Sequence, residues 1–572
     1  MTQAARASFV FLLATVGLSC RDRPSPTEQA TNSRSTSLVE ESLPPLQAGL
    51  TLRLTPRPER SQIDVEVHIV GPEAASTKEL AIARQWAGID GYAAIRSLRV
   101  RDARGEIPTH PGPDAGPDRT FELERSPQRE HLEIRYAVAS APANAPRFAL
   151  HVDRERFSGV GHTFLLLPRL DKPTAVHVQI RSNSLSPGAS GATSFGTGDE
   201  IDARATTREM AHAAFASGRM RTIERSDAER LVIVGNPAFD AQAAYDAISS
   251  AHRALERTFA TGVVQTKPDR FSYVVITEPG LGKGHDGALL GKSFALWMGN
   301  DAPFDASMII AATHELAHTW MGGTVRLVND QKDEQAWFSE GFAVHYARKV
   351  ALAEKLVAPD DFAADLERTL GPGVSDSFSH PITGTREAYQ RGALYAARID
   401  AAIQKSSKGK RSLDDVLKKL FSRRSSASNI SLPVSEFRDL VVEELGAGAG
   451  EELSWVMVQG NGEIRLDDDT FGKCFHRRRS KAKVFELGFD RRSLKRVPQM
   501  IRGLIPGSAA ARAGLVEGAI VLSSKLPNES ESDYDKPVEI VVAAPRGSKK
   551  IRYLPMAEHE DIQWAAKNEC SD

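Results

Sequence analysis

The chain has 572 residues, 41% of them apolar and 26% charged, with a formal net charge of −1. That length holds about three or four domains with ordinary cores, and near-neutral charge argues against a polyanion partner for the chain as a whole. Its three cysteines are too few for a thiolate zinc cluster, and no internal repeat or low-complexity array is present.

Arg6 precedes an apolar run from Phe9 to Leu18, followed by Ser19 and Cys20. The run is too short to span a bilayer and fits the apolar region of a secretory signal over residues 1–20. Cys20 stands where a bacterial lipoprotein signal is cleaved and acylated. The expected location is therefore the bacterial cell envelope, periplasmic or lipid-anchored; the plainer alternative is a cleaved soluble signal with an incidental cysteine. Residues 21–45 are rich in Ser, Thr, Pro and charge and predict a disordered tether.

Residues 46–190 predict a β domain. Leu50 to Leu54 and Ile63 to Val70 alternate apolar with polar, as do His131 to Tyr136 and Val176 to Ile180. Alternation of this kind marks half-buried strands, and several such strands separated by Pro/Gly turns suggest a sandwich. His131, His151 and His162 are scattered and form no ligand set. Residues 183–198 are Ser/Gly-rich and mark a boundary loop. Mixed structure follows over 191–445: strands at Leu231–Gly235 and Ser272–Ile276, a long helix from Asp240 to Phe259, a helix over 401–421 and another over 434–445.

The stretch from Gly282 to Gly299 is Gly-rich around an apolar centre. Ahead of a metal-binding helix, an edge strand here would carry substrate backbone by strand addition. Asp286, Gly287 and Ala288 are the candidate substrate contacts; a flexible turn is the bland alternative.

Thr313 to Trp320 then reads T-H-E-L-A-H-T-W. Residues four apart share one helix face, so His314 and His318 present two imidazoles to one point, as ligands of zinc require. Glu315 follows the first ligand and is placed to act as general base on a water at the metal. Asp305 offers an N-cap, and Gly322 with Gly323 offers a stop. A connecting loop is expected over 326–335. A second helix begins near Trp337, and its Glu340 would complete a His, His, Glu set with one position open for water.

HELAH followed by W-F-S-E-G-F-A resembles the gluzincin zinc metallopeptidases. The wide spacing to Glu340 suits their glycyl aminopeptidase family. Tyr389-Gln390-Arg391-Gly392-Ala393 resembles that family's Tyr-x-Lys/Arg-Gly-Ala segment, and Ser412 to Val416 its S-L-D-D-V segment. The resemblance implies a multidomain α+β chain: an N-terminal β-sandwich, a thermolysin-like zinc catalytic domain with a helical closing segment, and a C-terminal PDZ-like domain. It implies zinc as cofactor and peptides or proteins as substrates. It also implies Tyr389 as an oxyanion donor, a role a phenol can fill chemically; a core tyrosine is the equal alternative.

Residues 446–484 read as a linker, 485–556 as the PDZ-like domain and 557–572 as a tail. Pro506 to Leu515 followed by Gly518 to Val521 resembles the turn, short helix and next strand of a PDZ domain. Such domains take an extended peptide, here a C-terminal peptide ligand, onto an exposed edge. The second helix of that module is not evident between Ser523 and Val538. Cys474 and Cys570 bracket this region and are a possible disulfide. The basic run His476 to Lys481 lacks interleaved aromatics and reads as a solvated loop with no nucleic-acid partner.

The function expected is a zinc metallopeptidase, an aminopeptidase before an endopeptidase. The families it resembles hold the substrate ammonium with a Glu in the edge-strand motif, whereas residues 284–289 contain none. Asp286 is the available substitute. The alternative from another class is a non-catalytic envelope protein that binds peptides through its C-terminal domain.

Overall fold

The computed structural model describes residues 48–567, apart from 114–115, 129, 227, 260–270, 280, 282–283, 292, 371–376, 379–381, 383, 424–429, 496 and 528–534. The expected signal with Cys20, the tether and Cys570 lie outside the described residues. The chain divides into two compact units, Met1–His252 with Val264–Leu316, and Arg253–Val263 with Ala317–Asp572.

In the first unit the alternating segments form strands. Gly49–Arg57 and Gln62–Val70 pair antiparallel near the middle of a seven-stranded sheet. A four-stranded sheet centred on Glu79–Ala83 and Asp118–Leu123 shares one apolar core with it, containing Leu52, Val65, Leu80, Phe121 and Ile134. The sheet extends past the expected boundary at 190, because Glu200–Ala205 pairs with Thr174–Ile180.

A third, eight-stranded sheet runs in the order His285–Leu289, Ser293–Gly299, Phe271–Glu278, Glu229–Val234, Ala214–Ser226, Phe157–Val160 and His151–Val152, with Ala189–Thr193 paired to Ala214–Ser226. It thus draws strands from sequence expected to belong to the β domain or to the boundary loop. Phe157–Val160 is buried at all four positions. A strand covered on both faces carries no alternation, so the sequence does not show which sheet it joins.

The second unit is mostly helical. The helix expected over 401–421 is two helices, Thr385–Ser406 and Leu413–Ser422. Lys408 and Gly409 take positive φ between them, and Ser412 opens the second with a capping box. The segment expected as a strandless loop holds Val325–Val328, paired parallel with Ile430–Pro433. Nor is 446–484 a bare linker: it contains the helix Ala447–Leu453 and the strand Phe475–Phe485. That strand pairs antiparallel with Met556–Ala566, so most of the expected tail is half of a two-stranded ribbon. The basic run lies on this ribbon, where Lys483 pairs in register with Glu558. Phe362, Phe471, Phe475 and Trp564 pack rings at one end of the ribbon. Cys474 there is disulfide-bonded, and its carbonyl accepts from the Lys567 N–H.

The other end of the ribbon leads into a small module with its own core of Leu487, Phe489, Ile501, Ala510 and Ile540. The expected turn, helix and strand appear in order: Ser508 caps Ala509–Arg512, and Val521–Lys525 begins a three-stranded antiparallel sheet. The named elements from Val521 to Tyr553 are the three strands Val521–Lys525, Val538–Ala544 and Gly547–Tyr553. No described helix in the chain is long and apolar enough to cross a membrane.

Candidate metal centre

The helix Ala306–Ala317 starts as its sequence directs, with Asp305 Oδ1 accepting from the Met308 N–H at 3.3 Å. Met308, Ala312 and Leu316 are buried, while His314 and Glu315 are half-buried. The helix ends one residue before His318. Gly322 supplies φ +84, and a Cβ at Gly323 would lie 2.2 Å from the His318 carbonyl oxygen. The two glycines therefore let the chain turn back closely over the second histidine. The Met321 carbonyl sits 3.2 Å from His318 Nδ1. An imidazole N–H donating there fixes the ring, as the outer shell of a metal histidine does, and leaves Nε2 to face Glu340.

Glu340 lies on a π-helical segment, Trp337–Phe342, that runs directly into the helix Ala343–Ala353. Insertions of this kind re-aim a side chain and recur at functional sites. Trp337, Phe338 and Phe342 pack their rings against Phe437. Gly341 lies against Gly392 on the helix Thr385–Ser406: a Cβ at Gly341 would lie 2.4 Å from Gly392 Cα, and one at Gly392 would lie 2.0 Å from the Trp337 carbonyl oxygen. The W-F-S-E-G-F and Y-Q-R-G-A segments thus meet backbone to backbone at a glycine pair.

Two ties hold these helices in place. The Arg391 side chain, fully buried, donates to the carbonyls of Val456, Asn461 and Gly462. Lys349 donates to Asp400 at 2.9 Å and to Asp414 at 2.7 Å, and Asp414 also accepts from Tyr346. The S-L-D-D-V segment therefore serves as a capped helix start whose Asp414 anchors the helix that follows Glu340.

One nitrogen from each of His314 and His318 and one oxygen from Glu340 lie within 4.8 Å of one another. His318 Nε2 and Glu340 Oε2 are 3.3 Å apart. Donors bound at ~2.05 Å around a tetrahedral ion are about 3.3 Å apart, so the donor set fits zinc in chemistry, and its His318–Glu340 pair fits in spacing. Among the described residues it is the one group of three or more such side chains that could hold a metal. Tyr389 lies half-buried on Thr385–Ser406 and is not one of the three donors.

The candidate substrate strand is present as well. His285–Leu289 is the last strand of its sheet and pairs on one side only, with Ser293–Gly299. A Cβ at Gly287 would lie 2.7 Å from both Cγ and Oε1 of Glu315, so the strand passes directly over that carboxylate. Burial pushes the Asp286 carboxyl up to about 6; Glu278 and Glu315 push the same way, and Arg147 opposes them. The expected contacts Asp286, Gly287 and Ala288 thus share one strand whose central residue touches Glu315. Arg147 and Glu278, paired at 3.0 Å, are additions that no local motif announces, since 131 positions separate them.

Among solved structures the chain is similar to the aminopeptidase N family protein from Idiomarina loihiensis, with 13% identity and a TM-score of 0.65 over 91% of this chain and 98% of that one. It also matches an M1 zinc metallopeptidase variant from Deinococcus radiodurans, with 18% identity and a TM-score of 0.46 over 72% of this chain and 94% of that one. Leukotriene A4 hydrolase from Saccharomyces cerevisiae matches at 13% identity, with a TM-score of 0.44 over 73% of this chain and 69% of that one; these two likenesses are too loose to argue from. No family model and no curated protein matches the sequence. The first likeness, nearly end to end in both chains, shows a mixed α+β multidomain fold of the aminopeptidase N type.

Proposed function

We propose that the chain is a zinc-dependent metallopeptidase that acts as an aminopeptidase. The carrying observation is the convergence of His314, His318 and Glu340 with Glu315 one residue beyond the first ligand. Zinc held there would polarise the scissile carbonyl and acidify the attacking water. Glu315 takes the proton from that water and delivers it to the leaving amine. The edge strand His285–Leu289 orients the substrate backbone by strand addition, with Gly287 allowing it to pass next to Glu315. Tyr389 donates its phenol proton as a hydrogen bond to the oxyanion.

The test is Glu315→Gln, assayed on amino-acid arylamides and N-blocked peptides with metal content measured in parallel. The expected outcome is retained zinc with turnover down about 10³–10⁴-fold. Undiminished turnover would refute the reading. In the same assay Tyr389→Phe should lower kcat about 100-fold with zinc retained; an unchanged kcat assigns Tyr389 to packing.

One observation favours an endopeptidase as the second reading: the edge strand offers Asp286 and no Glu. Preference for N-blocked over free-amine substrates would establish it. A non-catalytic envelope role fits less well, because a scaffold has no use for a Glu at position 315, directly after the first histidine of the donor set.

The glycyl aminopeptidase assignment rests on the spacing to Glu340 and on the Y-Q-R-G-A and S-L-D-D-V segments. The PDZ-like reading of 485–556 rests on the order of turn, helix and strand, and its test is titration with C-terminal peptides. The Cys474 partner is assigned to Cys570, because Lys567, three positions earlier, hydrogen-bonds the Cys474 carbonyl. Export with acylation at Cys20 rests on the N-terminal composition, and Cys20→Ser should release the protein from the membrane fraction.

A further inference from the structure

Eight large apolar side chains stand well exposed among the described residues, and six of them lie in the module over 485–556: Val497, Ile505, Val516, Ile520, Leu522 and Leu554. Single exposed apolar residues are ordinary on any surface. A contiguous group in one small module marks an interaction face. Part of this group is contiguous. Val521 is buried in the module core, and side chains alternate along a strand. Its neighbours Ile520 and Leu522, 47% and 56% exposed, therefore point to the outer side. Ile520 bridges Met500 on one flank, and its carbonyl accepts from the Ala543 N–H on the other. Val541 and Ala543 flank the buried Val542 and share the outer side. An apolar row thus crosses three adjacent strand segments.

Charge borders this row. Lys525 and Arg552 each pair in register with Glu539, and Lys550 pairs with Val541. Lys550 Nζ lies 3.0 Å and Arg552 Nε 3.6 Å from the Glu539 carboxylate. Three exposed cations therefore surround one carboxylate beside the apolar row. The module repeats the excess on a larger scale: residues 485–556 hold twelve Lys and Arg against eight Asp and Glu, while the whole chain carries −1.

We propose that this outer sheet face docks on an anionic lipid surface, with Ile520 and Leu522 entering the headgroup boundary and Lys525, Lys550 and Arg552 meeting lipid phosphates. Apolar side chains ringed by cations suit such a surface. A second copy of the chain suits it less, because an isologous contact sets the same cations near each other. A peptide added as a strand uses a sheet edge rather than a sheet face. Such a face alone binds weakly and reversibly, and stable attachment takes a second signal. The acyl group expected at Cys20 is that signal, so Cys20→Ser still frees the protein from the membrane fraction while leaving the weaker contact measurable on vesicles. The proposal stands apart from the peptidase reading, because its test reads partition and not turnover.

The experiment is vesicle co-sedimentation of the full-length Cys20→Ser protein, which carries no acyl chain. The vesicles are phosphatidylcholine alone or phosphatidylcholine mixed with phosphatidylglycerol. Partition should favour the phosphatidylglycerol vesicles and fall as salt rises. Ile520→Asp with Leu522→Asp should lower it about tenfold or more with unchanged melting, since both side chains are exposed. Lys525→Gln and Lys550→Gln should each lower it about fivefold, on the phosphatidylglycerol vesicles only. Lys408→Gln with Lys410→Gln removes two charges from an exposed turn outside the module and should leave partition unchanged. Equal partition to both vesicle types overturns the proposal. So does undiminished partition of the Ile520→Asp, Leu522→Asp protein, or an equal loss in the Lys408, Lys410 control. Self-association of the parent in sedimentation velocity, abolished by the two Asp substitutions, would assign the face to a second copy and also overturn it.

Discussion

A methyl group added at Gly287 would meet the movable tip of Glu315 at 2.7 Å, whereas one added at Gly392 would meet the Trp337 backbone carbonyl at 2.0 Å. The first glycine lets an edge strand run over a side chain; the second lets two helices touch. On the proposed function, the difference separates the strand region, which would receive a peptide chain, from the helix region, which would fix a metal ligand. A long side chain can swing aside at small cost. Two packed backbones can part only by moving Glu340, which sits one residue before Gly341 on the segment that Gly392 touches.

Substitution at the helix contact should have the larger effect. Gly392→Ala forces the two helices apart and should cost about 3 kcal/mol of stability. It should also lose zinc, because Glu340 moves with its segment. Thermal unfolding and metal analysis check both, and a Gly392→Ala protein with normal melting and full zinc would show that the contact does not position Glu340. Gly287→Ala should melt normally and keep zinc, yet lose about 10- to 100-fold in kcat, since a displacement of roughly 1 Å at a catalytic group is enough for that. If Gly287→Ala instead unfolds the protein, the contrast between the two regions fails.

The same contrast governs how much the sequence reveals. His314, Glu315 and His318 are legible as candidates because helix periodicity alone puts the two histidines on one face. Glu340 is legible only through its company, W-F-S-E-G-F, since a lone glutamate 22 positions on carries no geometric signal. The glycines of that segment and of Y-Q-R-G-A are visible as letters, but that they touch each other is a fact of helix crossing, which no local pattern encodes. Asp286 is visible as a polar residue on a candidate strand. Glu278 and Arg147 are not, because their pairing depends on sheet order and on Phe148 finding Trp297. The split of the helix over 401–421 was written in Gly409 and the Ser412 capping box, whereas the ribbon joining 475–485 to 556–566 is a long-range pairing across an intervening module.

The smallest expected effect is a pH dependence confined to the strand region. The Asp286 carboxyl is raised to about 6, first by burial and then by Glu278 and Glu315, against the opposing charge of Arg147. On the aminopeptidase reading, in which Asp286 holds the substrate ammonium, the neutral group below that pH would attract it weakly and the carboxylate above that pH would bind it more tightly. The substrate α-amine loses its own proton near pH ~8. KM for an amino-acid arylamide should therefore fall as pH rises through about 6 and rise again near ~8, while KM for an N-blocked peptide shows neither limb. Asp286→Asn should remove the lower limb and keep the upper one, because the upper belongs to the substrate. Stability carries the opposite sign: the raised pKa favours the folded state while Asp286 is protonated, and that contribution is lost as pH rises through about 6. Tighter amine binding and lower melting temperature should then appear over the same pH interval, and both should vanish together in Asp286→Asn. A lower limb that survives the substitution would assign it to another group and remove Asp286 from amine recognition.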